Sequence, residues 1–330
     1  KPMAGHRLRL TSEKGKMHMT KATNRSRKSK AVRIDIYEEV TNQIIAMLEA
    51  GTKPWAPSWA QGAGSFPLRS CGKHYQGINI LLLWATAITR GYANPYWMTF
   101  KQALELGGNV KKGEKGTRVV YVGQITKKDD DAQADGDQDE RKGRVFLKHY
   151  TVFNVGQIEG LPEGKFPTPE PVIQNREDRD QSLDALFAAY GVPIHEQEGG
   201  AFYTPLTDRI NMPHFESFTS ANAFYATLAH EAIHSTGHRD RLNRETLRDY
   251  SKSLAIRARE ELIAEIGASF FCAAIGMEPT QREDHAAYVA HWISHLRNDK
   301  KAIFQAATAA QAASELILKA SEVEAERHTA

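Results

Sequence analysis

Cysteine is almost missing from this chain. Cys71 and Cys272 are the only two among 330 residues, and neither belongs to a C-x-x-C pair. That excludes a disulfide framework and a thiolate metal site, and it fits a reducing cytoplasm. Long apolar runs are lacking too. Ile78-Asn79-Ile80-Leu81-Leu82-Leu83-Trp84 is the longest of note, far short of the ~20 residues a membrane-spanning helix needs, so no membrane partner is expected. The opening stretch has no apolar core long enough for a secretory signal. Met19 reads as the native start, and residues 1–18 as a leader outside the fold. Acidic residues are scarce in residues 1–30, where ten Lys/Arg face one Glu; residues 20–30 read as a disordered basic tail, a solubilising arm or a non-specific attractor of phosphates.

What is present is ordinary for a soluble globular protein, with 41% hydrophobic and 25% charged residues. At ~150 residues per domain, the length predicts two domains. The net charge of +3 hides an asymmetry. Residues 31–165 hold seventeen Lys/Arg against fifteen acids, seven of which crowd into residues 129–140, whereas residues 166–330 hold sixteen against twenty-four. A basic front half is joined to an acidic back half.

The front half, residues 33–160, reads as α+β. Ile36, Val40, Ile44, Ile45 and Leu48 form an apolar stripe that stops at Gly51, and residues 80–89 and 100–106 read as two further helices. Residues 118–122 and 144–154 read as strands pairing in a hairpin whose tip is the acidic, low-complexity loop 129–140. Two features point to single-stranded nucleic acid: cations on Gly-punctuated turns, and aromatics among them. Lys111, Lys112, Lys115 and Arg118 are the candidate phosphate contacts, and Trp55 and Tyr75 the candidate rings, with Trp59, Tyr96 and Trp97 nearby. For any single ring, burial in the core is the competing reading.

Residues 161–171, Leu-Pro-Glu-Gly-Lys-Phe-Pro-Thr-Pro-Glu-Pro, are the domain linker, and residues 172–330 the second domain. A helix carrying Leu183, Leu186, Phe187 and Tyr190 ends at Gly191. Two short strands follow around a turn at Thr207-Asp208, confined to sheet edges by Pro205 and Pro213 and suited to hold an extended peptide.

Next comes His230-Glu231-Ala232-Ile233-His234, an H-E-x-x-H element. On a helix the two imidazoles lie one turn apart on one face, able to grip one Zn²⁺ (or Mn²⁺, or another divalent transition metal), with Glu231 beside them as general base. Downstream, Glu261 and Glu265 share a face of a second helix and supply the carboxylate of a His₂Glu set. We read Glu261 as the third ligand and Glu265 as the group holding an imidazole N–H, the swapped assignment staying open. Tyr250 or His238 would donate to a developing oxyanion. Residues 283–296 and 302–325 close the chain as helices, where His285, His291 and His295 read as packing histidines.

These motifs carry a family resemblance. Phe202-Tyr203, Asp208-Arg209-Ile210, Pro213, the run His230 to Leu242 and Glu260 to Gly267 resemble the zincin-type metallopeptidase domain of ArdC-type antirestriction proteins. Ile36-Tyr37, Trp55, Trp59, Tyr75-Gln76-Gly77-Ile78-Asn79, Trp97 and Gly113-Glu114-Lys115-Gly116 resemble the single-stranded-DNA-binding domain of that family, which also stands at the front of TraC-like plasmid primases. The resemblance covers roughly residues 33–320. It implies a plasmid-encoded cytoplasmic protein of conjugation that coats incoming single-stranded DNA, guards it from host restriction and acts on a protein substrate, such as a restriction component. A rival reading keeps the DNA-binding half and makes the metal-bound zincin half a non-catalytic protein-interaction module.

Overall fold

The computed structural model describes residues 35–56, 65–125, 144–168, 178–277 and 286–329. The leader, the basic tail, the acidic tract 129–140, Trp59, His285 and linker residues 169–171 lie outside the described residues. The fold is α+β. Its front half runs α1 (Ile36–Glu49), β1 (Leu68–Arg69), α2 (Ile78–Arg90), β2 (Tyr96–Met98), α3 (Phe100–Glu105), β3 (Asn109–Val110), β4 (Thr117–Ile125), β5 (Arg144–Asn154) and β6 (Ile158–Glu159). The back half continues with α4 (Gln181–Tyr190), β7 (Ile194–Glu196), β8 (Phe202–Thr204), β9 (Arg209–Met212), α5 (Ala221–Thr236), α6 (Glu245–Arg248), α7 (Leu254–Ala274), α8 (Ala286–Asn298) and α9 (Ala302–Thr329).

Local chemistry sets the helix ends. Asp35 caps α1 by accepting from the Tyr37 and Glu38 amides, and Asp180 does the same for α4. Gly191 closes α4 at φ +82°, where a side chain would be strained. The predicted hairpin is there: β4 and β5 pair antiparallel from Thr117↔Val152 to Ile125↔Arg144, within a sheet ordered β1-β2-β5-β4. Asn79 of α2 locks onto it by accepting from the Val120 amide at 2.8 Å and donating to the Val120 carbonyl at 2.9 Å.

Each half has its own sheet, yet one apolar core runs through both. Val40, Leu81 and Trp84 from the front pack in a single cluster with Phe270, Ala307 and Ile317 from the back. Trp84 meets Phe270 at 5.7 Å between ring centres, and Trp55 meets Trp292 at the same distance.

Two readings of strands need correction. The back sheet is ordered β7-β9-β8, so β9 is its central strand and only β8 keeps an edge role near the metal helix. Pro205 and Pro213 fall just beyond Thr204 and Met212, and a proline outside a strand removes no ladder hydrogen bond. β7, three residues paired parallel to β9, is too short to leave a period in the sequence.

The helices α5 and α7 touch closely at Gly267, where an added Cβ would stand 2.9 Å from Ile233 Cγ2 and 3.0 Å from its Cδ1. Ile233 is fully buried and has no room to yield. Gly267→Val should therefore force the helices apart and lower stability by about 1–3 kcal/mol, read as a fall in melting temperature. An unchanged melting curve would mean that the helices do not meet there.

Candidate metal centre

The centre begins with how α5 is built. Ser220 accepts from the Ala223 amide at 3.1 Å and starts a helix of 16 residues, almost wholly buried from Ala223 to Thr236. The H-E-x-x-H element occupies its last turns. His230 and His234, one turn apart, turn their rings to each other at 4.8 Å, with Nε2 atoms 3.1 Å apart. From α7, Glu261 brings Oε2 to 3.4 Å from His230 Nε2, and Oε1 to 3.7 Å from His234 Nε2. Among the described residues this is the one group of three His, Cys, Asp or Glu side chains whose ligating atoms all lie within 4.8 Å of one another.

The expected supporting carboxylate is a different glutamate. Glu265 sits a turn beyond Glu261 and accepts from Lys53 Nζ at 3.3 Å and Trp55 Nε1 at 3.2 Å. The imidazole contact belongs to Glu260, whose Oε1 is 3.3 Å from His234 Nδ1. One residue along a helix is a turn of about 100°, so Glu260 and Glu261 approach His234 from two sides. Sequence reading gave Glu260 no role of its own, and it is fully buried. Arg244 justifies that burial: it reaches both Glu260 oxygens and donates to the Ile233 carbonyl at 2.8 Å and the His234 carbonyl at 3.3 Å, capping α5. Thr246 also donates to Glu260. The missed signal was Arg244, an arginine just past the metal helix.

The donors suit a cation. Burial disfavours charge on every member, but the surroundings divide them. Burial holds His230 below its ordinary value. For His234, burial is outweighed by the charge of Glu261 and the bonds to Glu260 and Glu261, and its pKa is driven up to about 10. Burial likewise opposes ionisation of Glu261 and Glu260, yet the His234 charge holds the first well below the usual carboxylate range, and Arg244 holds the second at about 2. Two imidazole nitrogens and an ionised carboxylate facing one electronegative point are the ligands a divalent transition metal takes.

The three donors open on a cleft of about 240 Å³, lined also by Glu231, Phe202, Tyr203, Tyr250 and Tyr288. Strand β8 forms one wall, and among the described residues it pairs only with β9. Tyr203 is fixed there by donating to Asp208 Oδ1 at 2.7 Å, and Asp208 is clamped by Arg241. Tyr250 donates to Glu261 Oε1, and burial together with that carboxylate raises its pKa. His238, the other candidate donor, is not among the lining residues and faces Asp240 at 3.5 Å.

Comparison with known proteins agrees with both halves. Residues 34–153 match the N-terminal domain of anti-restriction factor ArdC, and residues 181–309 a zincin-like metallopeptidase family. The metal-free crystal structure of the antirestriction ArdC protein from plasmid R388 superposes with a TM-score of 0.75 at 44% identity, covering 88% of this chain and 99% of that one. The chain belongs to the ArdC family. The Mn(II)-bound structure of the same R388 protein gives a TM-score of 0.72 at 43% identity, covering 87% and 98% of the two chains. An uncharacterized protein, y4eC of Sinorhizobium fredii, is 37% identical over 84% of this chain and 89% of its own length. DNA primase TraC of Escherichia coli is 39% identical over 87% of this chain, which spans only 27% of TraC. The likeness to TraC thus reaches past the front half into the metal-bearing half.

Within this ArdC-type front half, the residues chosen for DNA separate into two groups. Lys111, Lys112 and Lys115 are exposed on the turn before β4, although Lys111 Nζ donates to the Gly156 carbonyl at 2.9 Å. Arg118 is half-buried and paired with Glu39. The rings are different: Trp55 is 0% exposed and Tyr75 3%. A buried Trp removes about 150–250 Å² from water, worth about 4–6 kcal/mol at ~25 cal/mol per Å². Stacking on a base returns only about 1–3 kcal/mol. Trp55 and Tyr75 are therefore core, not stacking platforms.

Proposed function

We propose that this chain is an antirestriction protein that binds single-stranded DNA through its front half and hydrolyses peptide bonds at a metal centre in its back half. The observation that carries the peptidase reading is the convergence of His230, His234 and Glu261 from two helices in a cleft that also holds Glu231. Those three residues would hold a divalent ion, Zn²⁺ by the chemistry of two imidazoles and a carboxylate, with Mn²⁺ also accommodated. When bound, such an ion supplies Lewis acidity, polarising a peptide carbonyl and easing deprotonation of water. The chain's own residues do the rest. Glu231 accepts the proton of the attacking water and passes it to the leaving amine. The Tyr250 hydroxyl, beside Glu261, donates to the oxygen that becomes negative. The outer edge of β8 holds the substrate extended, its backbone groups pairing with those of the peptide. The fitting substrate is a protein of the host restriction machinery, met in the cytoplasm during plasmid transfer.

The test is removal and return of the metal. Protein stripped with a chelator should lose hydrolysis and regain it with Zn²⁺ or Mn²⁺. At a free-metal concentration of about one hundred times Kd, the ion should stabilise the fold by about 2.7 kcal/mol, seen as a rise in melting temperature. His230→Ala should abolish both responses. Stripped protein that hydrolyses as fast as untreated material, and melts at the same temperature with or without metal, would end this reading.

A further inference from the structure

With Trp55 and Tyr75 buried, the front half needs another place for bases. Resting on the single-stranded-DNA reading, we propose that the strand crosses one face of the β4–β5 hairpin, its bases on Tyr121 and Tyr150 and its phosphates on Lys148, Arg69 and Lys73.

The register makes the case. Tyr121 lies opposite Lys148, and Tyr150 opposite Val119. Side chains alternate along a strand, so Tyr121, Lys148 and Tyr150 stand on one face of the hairpin, the two rings diagonal to each other. Val119, on the same face, is buried and anchors the inner end to the core. Tyr121 is 58% exposed and Tyr150 38%, which makes them the exposed large rings of this sheet among the described residues. An exposed aromatic pair flanking a cation is the arrangement that stacks bases and holds backbone without reading sequence.

A second set of cations adjoins the first. Arg69 pairs with Trp97 of β2, and Trp97 with Asn154 of β5, so Arg69 falls on the face of the same sheet that carries Tyr150. Tyr75 carries the Arg69 guanidinium over its ring at 5.4 Å from the centroid. The Arg69 amide donates to the Lys73 carbonyl at 2.8 Å, so a tight turn presents two exposed cations at the β1 side of this sheet. Residues 50–104, which supply this turn, contain five Lys/Arg and no Asp or Glu. Phe100 on α3, 52% exposed, is a comparable ring away from this face and serves as a control.

The experiment is anisotropy of a labelled oligo-dT of about 20 nucleotides, titrated with full-length protein at several salt concentrations. Tyr121→Ala and Tyr150→Ala should each weaken binding by roughly five- to a hundredfold, while Tyr121→Phe and Tyr150→Phe, which keep the ring, should bind like wild type. Lys73→Ala should lower the salt slope by about 0.7. If wild type binds and both Ala variants bind equally well, or if Phe100→Ala loses as much as they do, the surface is misplaced. If wild type does not bind even at low salt, the single-stranded-DNA reading itself falls, and this surface with it.

Discussion

Replacing Glu231 with Gln is expected to leave metal content unchanged while cutting peptide hydrolysis by about 10²–10⁴-fold. The two side chains have the same shape, Glu231 lies outside the three-donor group, and it lines the cleft those donors open on. Gln fills the same space and hydrogen-bonds, but it has no carboxylate to take a proton. Elemental analysis and a turnover assay on one preparation separate the two roles. A variant that hydrolyses at the wild-type rate would show that Glu231 is not the base. The same protein also weighs the rival reading. Antirestriction that survives when hydrolysis is gone would make the back half a metal-stapled interaction module, and antirestriction lost with hydrolysis would tie protection to catalysis.

Arg244→Met should have the largest effect on stability. It leaves Glu260 charged, fully buried and without its main partner, and it strips a donor from the last carbonyls of α5. Breaking a buried pair from one side costs about 3–5 kcal/mol, a drop of roughly 10 °C in melting temperature for a chain of this size. Because Glu260 orients His234, metal affinity should fall by about 10–100-fold as well. Replacing both partners, Arg244→Met with Glu260→Met, should recover part of the stability but not the metal affinity, since no carboxylate then holds the imidazole. A single Arg244→Met variant that melts with the wild type would mean that the pair contributes nothing.

Much of this arrangement could be read in the sequence, for reasons that differ by element. The stops at Gly51 and Gly191 are local chemistry, so the ends of α1 and α4 were legible within a residue or two. The pairing of Glu261 with the two histidines followed from ligand chemistry and helical spacing. Glu260 did not, because nothing local distinguishes a buried glutamate from an exposed one; its partner Arg244 is distant in sequence and close only in the fold. Trp55 and Tyr75 failed as DNA contacts for a related reason. An aromatic beside a basic turn looks the same in sequence whether it faces water or, like Trp55, ends on Glu265 and Trp292. The stacking candidates Tyr121 and Tyr150 lie in the two predicted strands of the hairpin, and only the pairing register shows that they share a face.

The single core has an evolutionary consequence. Trp84 of the front half and Ile317 of the last helix belong to the same apolar interior, so a recombination event that brought in a foreign front half would strand side chains on the last helix without their counterparts. TraC, although much longer, matches 87% of this chain and not one half of it, as expected of two halves that share an interior.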